Sequence, residues 1–163
     1  MHHTTDSANL YRLQTTRRPV TLTMVSGDEL KGHVFAHWSS SKPFETQEAT
    51  ELFNDEEPFF PFEMEGGEVI LVAKARVAEV GVDLDGEPPE NQASVMPFPT
   101  ALLQVVLAGG AVRLGSIRLE VPPDRSRVLD YLNRLSSRFV TLYTSNDARL
   151  INRSLIDRVR PLD

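Results

Sequence analysis

The chain has 163 residues, of which 40% are hydrophobic and 25% charged, a balance typical of a soluble globular protein. The absence of cysteine excludes a disulfide framework, a thiolate metal site and a cysteine nucleophile. No apolar run approaches the ~20 residues of a membrane span, and the N-terminus lacks the basic and apolar regions of a signal peptide, so a cytoplasmic location is expected.

The first part of the chain has the pattern of a small β-domain. After a polar lead-in with a predicted short helix over residues 9–14, Val20, Leu22 and Met24 alternate with threonines, which is the period of a half-buried strand. Gly27 and the pair Gly66-Gly67 predict tight turns. A weakly helical insertion is predicted over 42–53. Strands are predicted over residues 19–26, 30–36, 59–64, 68–73 and 77–82.

The second part repeats this plan after a segment rich in proline and acidic residues. A helix is predicted to begin at residues 122–124, with Asp124 as its N-cap and an apolar stripe over Val128, Leu129, Leu132 and Leu135. Strands are predicted over residues 102–108, 112–120, 139–144, 149–152 and 155–159. We therefore expect a lead-in (1–17), a first domain (18–82), a linker (83–98) and a second domain (99–163).

The two parts match residue by residue, which indicates an internal duplication. The segment 71–80 aligns without a gap on 150–159, so that Leu71 falls on Leu150 and Val80 on Val159. At the front of each unit, Val20, Leu22, Gly27 and Gly32 fall on Leu103, Val105, Gly110 and Gly115. The offset is 83 residues at the front and 79 at the back. Two units of this size are expected to pack on each other or on a partner.

Five short strands, a first hairpin with glycines five residues apart and a hydrophobic closing strand resemble the Sm-like (Lsm-type) small β-barrel, of a bacterial type. The segment from Val20 to Val34 resembles the typical Sm opening V-x-L-x-x-G-x-x-h-x-G-x-h, where h is hydrophobic. The resemblance implies a mainly β fold of two tandem five-stranded barrels, each with a short helical insertion.

The same resemblance implies a role for two kinds of residue in binding single-stranded RNA. Sm proteins use an Asp-x-x-Met-Asn-like loop, which Asp130-Tyr131-Leu132-Asn133 resembles. They also use an Arg-Gly pair, which is absent here and is replaced by Val72-Ala73 and Ile151-Asn152. The alternative is that Asn133, and its counterpart Asn54, cap local backbone at a helix end or turn.

Charge is divided unevenly between the two parts. Residues 18–81 hold five Lys or Arg against twelve Asp or Glu, whereas residues 99–163 hold ten Arg, no Lys and six acidic residues. Arginine suits bidentate pairing with carboxylates or phosphates, so the second part either meets an anionic partner or is attracted to the first. The candidate interaction residues are Arg125, Arg127, Arg134, Arg138, Arg149 and Arg153.

An aromatic cluster supplies the other candidates. In a strand, Phe60 and Phe62 face one side and Phe59 the other. Phe59, with Trp38 and Phe44 from the insertion, would form an exposed apolar patch for a partner. The alternative is that all of these aromatic residues pack in the core.

These observations favour a non-enzymatic assembly module, an accessory subunit that binds other subunits of a larger complex, with a contact at the cytoplasmic face of a membrane complex as a further expectation. No cofactor, metal site or catalytic residue is expected: His33 and His37, four apart on a strand, lie ~13 Å apart, too far to share one ion. One alternative is nucleic-acid binding through the second part. The weakest alternative is a hydrolase that uses these two histidines.

Overall fold

The computed structural model describes residues 15–37, 45–83, 99–119 and 127–162. In these ranges the protein is mainly β, with ten strands and two short α-helices. The strands are β1 (Thr15–Met24), β2 (Glu29–His37), β3 (Phe59–Met64), β4 (Val69–Ala73), β5 (Val77–Asp83), β6 (Thr100–Leu107), β7 (Val112–Arg118), β8 (Phe139–Tyr143), β9 (Asp147–Asn152) and β10 (Ile156–Pro161). The helices are α1 (Glu45–Asn54) and α2 (Val128–Arg134). The second predicted helix is present as α2, with Arg127 rather than Asp124 at its N-cap position. The helix predicted over 9–14, the start predicted at 122–124 for the second helix, and nearly all of the predicted linker lie outside the described residues.

All ten strands belong to one antiparallel sheet, in the order β10-β6-β7-β8-β9-β5-β1-β2-β3-β4. We call β1–β5 with α1 the first half and β6–β10 with α2 the second half. Each half has the same internal order, in which its fifth strand pairs with its first. The halves are joined by β5 and β9, with Val80 opposite Leu150.

This topology corrects the expectation of two closed five-stranded barrels. The outer edge of β5 pairs with β9 of the second half rather than with β4 of its own half. The described strands therefore form a single open sheet, whose free edges are β4 at one end and β10 at the other.

The sequence pattern explains why these segments form strands. In β1, Val20 and Leu22 are buried at alternating positions, and in β3 the buried residues are Phe60 and Phe62. Gly27 turns the first hairpin with φ of +96°, a conformation that side chains with a Cβ rarely adopt. Its counterpart Gly110 has φ of +98°.

Two further glycines allow neighbouring strands to approach closely. A Cβ at Gly32 in β2 would lie 2.0 Å from the carbonyl oxygen of Glu63, and one at Gly115 in β7 would lie 2.6 Å from that of Tyr143. No side chain fits at either position without a shift of the backbone. In each half, the first of the two glycines five residues apart therefore forms a turn, and the second allows two strands to approach closely.

Two apolar clusters form the core. The first contains buried residues of β1–β5, Ala49 and Phe53 of α1, and two residues of the second half, Phe139 and Leu150. The second contains residues of the second half alone, including Leu103, Ile117 and Ile151. Thus β9 packs its two faces against different clusters. Neither described helix has both the length and the apolar character needed to cross a membrane.

Candidate interaction surfaces

An apolar surface lies on the hairpin at the β4 end of the sheet. Phe59, Val69 and Leu71 are 58%, 52% and 75% exposed, and the pairing of β3 with β4 places them on the same face. We call these three residues the edge patch. The opposite face of the hairpin carries Phe60 and Val72, which are buried in the first cluster. The edge patch therefore adds a second apolar face to an edge strand.

The corresponding residues of the second half are buried. Strand pairing places Phe139 opposite the last residue of β9, as it places Phe59 opposite the last residue of β4. Phe139 is 1% exposed, and Leu150, the counterpart of Leu71, is fully buried. Apolar side chains at matching positions are thus exposed at the β4 end of the sheet and buried at the junction between the halves.

The covering groups come from the first half. The ring of Phe53 in α1 contacts that of Phe139 edge to face, with centroids 5.6 Å apart. The Asn54 side-chain Oδ1 accepts a hydrogen bond of 2.7 Å from the backbone N–H of Phe139. Leu150 packs in the same cluster as Val80. Asn54 therefore bonds to backbone of the other half, and not to the local backbone that the alternative predicted.

A buried ion cluster also crosses the junction. The Glu79 side chain in β5 is 1% exposed. Its Oε1 accepts a hydrogen bond of 2.8 Å from Nε of Arg113 and one of 2.7 Å from Nη1 of Arg149. Arg149 also lies 3.4 Å from Asp147. The attraction expected between the acidic and basic parts of the sequence is realised here by specific ion pairs.

Burial alone would raise the pKa of Glu79, since it disfavours the charged form. The hydrogen bonds and positive charges of Arg113 and Arg149 outweigh burial, so the pKa of Glu79 lies below its ordinary value. Burial would lower the pKa of Arg149, but its pairing with Glu79, and then the charges of Asp147 and Glu29, raise it above its ordinary value. Both groups are therefore charged at neutral pH.

The first half holds a second buried charge. Lys74, in the 3₁₀ turn Lys74–Arg76, is fully buried, and its Nζ donates a hydrogen bond to Asp55, just after α1. This pair ties the end of α1 to the turn between β4 and β5, and so helps to place Phe53 and Asn54 against β8.

A groove of about 650 Å³ is lined by residues of β2, β1, β5 and β9. Lys31, His33 and Arg149 line it together with four acidic residues, Glu29, Glu65, Asp83 and Asp147. Within the described part of the chain, no group of three or more histidine and acidic side chains is placed to hold a metal ion. His33 and His37 both lie on β2, which extends one residue beyond the strand predicted over 30–36.

The structure places the predicted site residues in separate environments. Phe59 is exposed in the edge patch, and Arg127 and Arg134 are exposed at the two ends of α2. Arg138 is partly buried before β8. Arg149 is held by Glu79, and the Arg153 guanidinium donates to the backbone carbonyl of Leu135. Trp38, Phe44 and Arg125 lie outside the described residues. Nucleic-acid binding through these arginines stays a prediction.

Sequence reasoning missed Val69, Leu71, Glu79 and Arg113. A signal existed for the first two, because the uninterrupted apolar run of β4 is typical of a strand covered on both faces. Glu79 gave a weaker signal, as the single acid in residues 77–82 of β5. Its partner Arg149 could be found only from the pairing of β5 with β9, and its partner Arg113, on β7, only from the folded structure.

Together, fold and surfaces define a mainly β protein with one open antiparallel sheet and an apolar patch at one free edge. No family model matches the chain, and the comparisons with curated proteins and with solved structures found no match.

Proposed function

We propose that the protein is a non-enzymatic assembly module, which binds other protein subunits through the β4 end of its sheet. The observation that carries this proposal is the exposure of the edge patch, beside a strand whose outer backbone groups have no strand partner in the described sheet. Exposed apolar area next to an open strand edge is the usual basis of strand addition. A contact at a membrane complex stays a prediction.

We also propose that the two halves are a tandem duplication of one Sm-like unit. Their strand order is the same. Their turns share hydrogen bonds as well: Val25 N–H donates to the Arg76 carbonyl in the first half, and Ala108 N–H to the Leu155 carbonyl in the second. His33 pairs with Glu63 in the first half as Ser116 pairs with Tyr143 in the second, so Gly32 and Gly115, which precede them, occupy matching positions. A duplicated unit whose two halves pair through their edges suits a role in assembly.

Affinity purification from the native host, followed by mass spectrometry, tests the assembly role. We expect that Phe59→Lys removes the co-purifying subunits, because a charge in the edge patch opposes burial of its apolar face. The matched control is Leu129→Lys, a change on α2 at a residue that is 66% exposed and lies outside the patch.

Two results would count against the assembly role. One is the absence of any specific subunit with the unmodified chain. The other is an equal loss of subunits with both variants, since that would locate binding away from the patch. Circular dichroism of both variants verifies that each is folded.

A further inference from the structure

Three leucines are exposed together on the outer face of the second half. Leu102 of β6, Leu114 of β7 and Leu162, just after β10, are 43%, 57% and 44% exposed. Leu102 lies opposite Ser116 of β7, and Leu162 N–H donates to the Leu102 carbonyl, so strand alternation places all three leucines on the same side of the sheet. We call these three residues the leucine face. The other side of the same strands packs in the second core.

A groove in the leucine face has a small residue at its centre and larger residues around it. Ser116 lies opposite Leu102 on one side and opposite Tyr143 on the other. Along β7, its neighbours on the same side of the sheet are Leu114 and Arg118. The groove has a volume of about 460 Å³. The guanidinium carbon of Arg118 lies 4.2 Å from the centroid of the Tyr143 ring, so this cation is held at the border of the groove.

The matching surface of the first half is polar, so the fold itself does not require leucines here. By the offset of 83 residues Leu114 corresponds to Lys31, and by the offset of 79 residues Leu162 corresponds to Asp83. Both Lys31 and Asp83 are exposed, and both line the charged groove described above. An apolar surface that the fold does not need is typical of a binding site for a partner.

Positive charge borders the leucine face at two opposite corners. Arg160 of β10 lies opposite Gln104 of β6, and Gln104 lies opposite Leu114 of β7, four residues before Arg118. Two strand spacings and four residues correspond to about 16 Å between the two arginines, with Leu102 midway between them. Among the described residues on this side of β6, β7 and β10, none between the two arginines is acidic. The complementary partner therefore carries carboxylates.

We propose that the leucine face binds an amphipathic helix of a partner subunit, which lies diagonally across β10, β6 and β7. Its apolar stripe covers the three leucines, and a carboxylate near each end pairs with Arg118 or Arg160. Because an α-helix rises 1.5 Å per residue, a separation of about 16 Å corresponds to about eleven residues, or three turns. This inference rests on the proposed assembly role and adds a second binding surface, distinct from the edge patch.

A synthetic peptide serves as the probe for the full-length chain. It has about eighteen residues, with leucines at helical spacing on one face and two glutamates about eleven residues apart. Fluorescence anisotropy should show saturable binding of this acidic peptide. A matched peptide with lysine in place of both glutamates should bind at least about fivefold more weakly, because like-charge contacts replace two exposed ion pairs.

The decisive variant is Leu114→Lys, which introduces the residue type found at the matching position of the first half, Lys31. It should weaken peptide binding at least about tenfold through loss of apolar contact, and should leave the urea midpoint unchanged. The matched control is Leu71→Lys, a change in the edge patch at a residue that is 75% exposed, and it should bind the peptide normally. Arg118→Gln and Arg160→Gln should each weaken binding about two- to fivefold.

Several results would overturn the proposal. No binding of the acidic peptide to the unmodified chain is one, and an equal loss of binding with Leu114→Lys and Leu71→Lys is another. A lowered urea midpoint of Leu114→Lys would show that the chain itself covers the leucine face. Binding to phosphatidylserine vesicles or to single-stranded poly(U), lost with Leu114→Lys and unaccompanied by peptide binding, would assign the face to lipid or RNA instead.

The outcomes also separate this inference from the proposed assembly role. If the acidic peptide does not bind but Phe59→Lys still removes the co-purifying subunits, the assembly role stands and the helix site is wrong. If the peptide binds as expected but no specific subunit co-purifies with the unmodified chain, the helix site stands and the role of the edge patch in assembly is wrong.

Discussion

At the scale of single residues, Glu79 is a buried charge that is paired across the junction between the halves. Its carboxylate is buried between two guanidiniums that keep 31% and 33% of their side-chain surface exposed. A buried acid needs such partners because removing a charge from water is costly. Glu79 contributes to stability through pairs that cross the junction, so it stabilises the contact between the halves rather than either half alone.

We expect Glu79→Gln to lower the free energy of unfolding at pH 7 by about 2 kcal/mol, from lost charge-assisted hydrogen bonds. This figure is below that for a fully buried pair because both arginines remain partly hydrated. Urea denaturation measures it, with the exposed Glu57→Gln as control. A loss equal to that of the control would contradict the role of the cluster.

The pH profile gives a second test of the same residue. The pKa of Glu79 in the folded state lies below its ordinary value of 4.5, so the folded state binds this proton less readily than the unfolded state. Its contribution is complete above about pH 4.5 and is lost as pH falls through the folded-state pKa. The unmodified chain should therefore lose more stability on acidification than Glu79→Gln does.

At the scale of elements, α1 connects the two halves more closely than α2 does. Phe53 is fully buried and contacts both Phe60, with ring centroids 4.9 Å apart, and Phe139. Leu129 of α2 is 66% exposed. The two helices α1 and α2 lie at matching places in the sequence, but Phe53 of α1 is buried whereas Leu129 of α2 is exposed.

The prediction for α1 is that Phe53→Ala costs about 3–5 kcal/mol, the range for truncating a buried aromatic residue. Leu129→Ala should change the free energy of unfolding by less than about 0.5 kcal/mol, as is usual for an exposed position. Urea denaturation of both variants measures these values. Similar costs for the two changes would mean that α1 is not anchored as the structure indicates.

At the scale of the whole molecule, the shared cluster and the paired β5 and β9 join the halves into one cooperative unit. Leu150 of the second half is part of the first core, so neither half can unfold without exposing residues of the other. We expect a single unfolding transition. Hydrogen exchange at low denaturant should then show amides of β1 and β6 losing protection with the same denaturant dependence. Two separate dependences would show that the halves unfold independently.

The sequence predicted strands well and their pairing less well. Phe59–Met64 was predicted with its observed bounds, because the alternation of Phe60 and Phe62 is a local signal. Joining of β5 to β9 depends on contacts about seventy residues apart, which periodicity does not report. For the same reason Phe59 could be proposed as exposed, whereas its equivalence to a buried Phe139 required the structure.

The Glu79 cluster also limits the registers in which β5 can pair with β9. A slip of one residue between β5 and β9 would turn apolar side chains to the wrong face. A slip of two residues preserves the faces, so the apolar pattern alone does not oppose it. Such a slip would move Arg149 away from Glu79 and leave a buried carboxylate without one of its two cations. Glu79 thus selects one alignment among those that the hydrophobic residues tolerate.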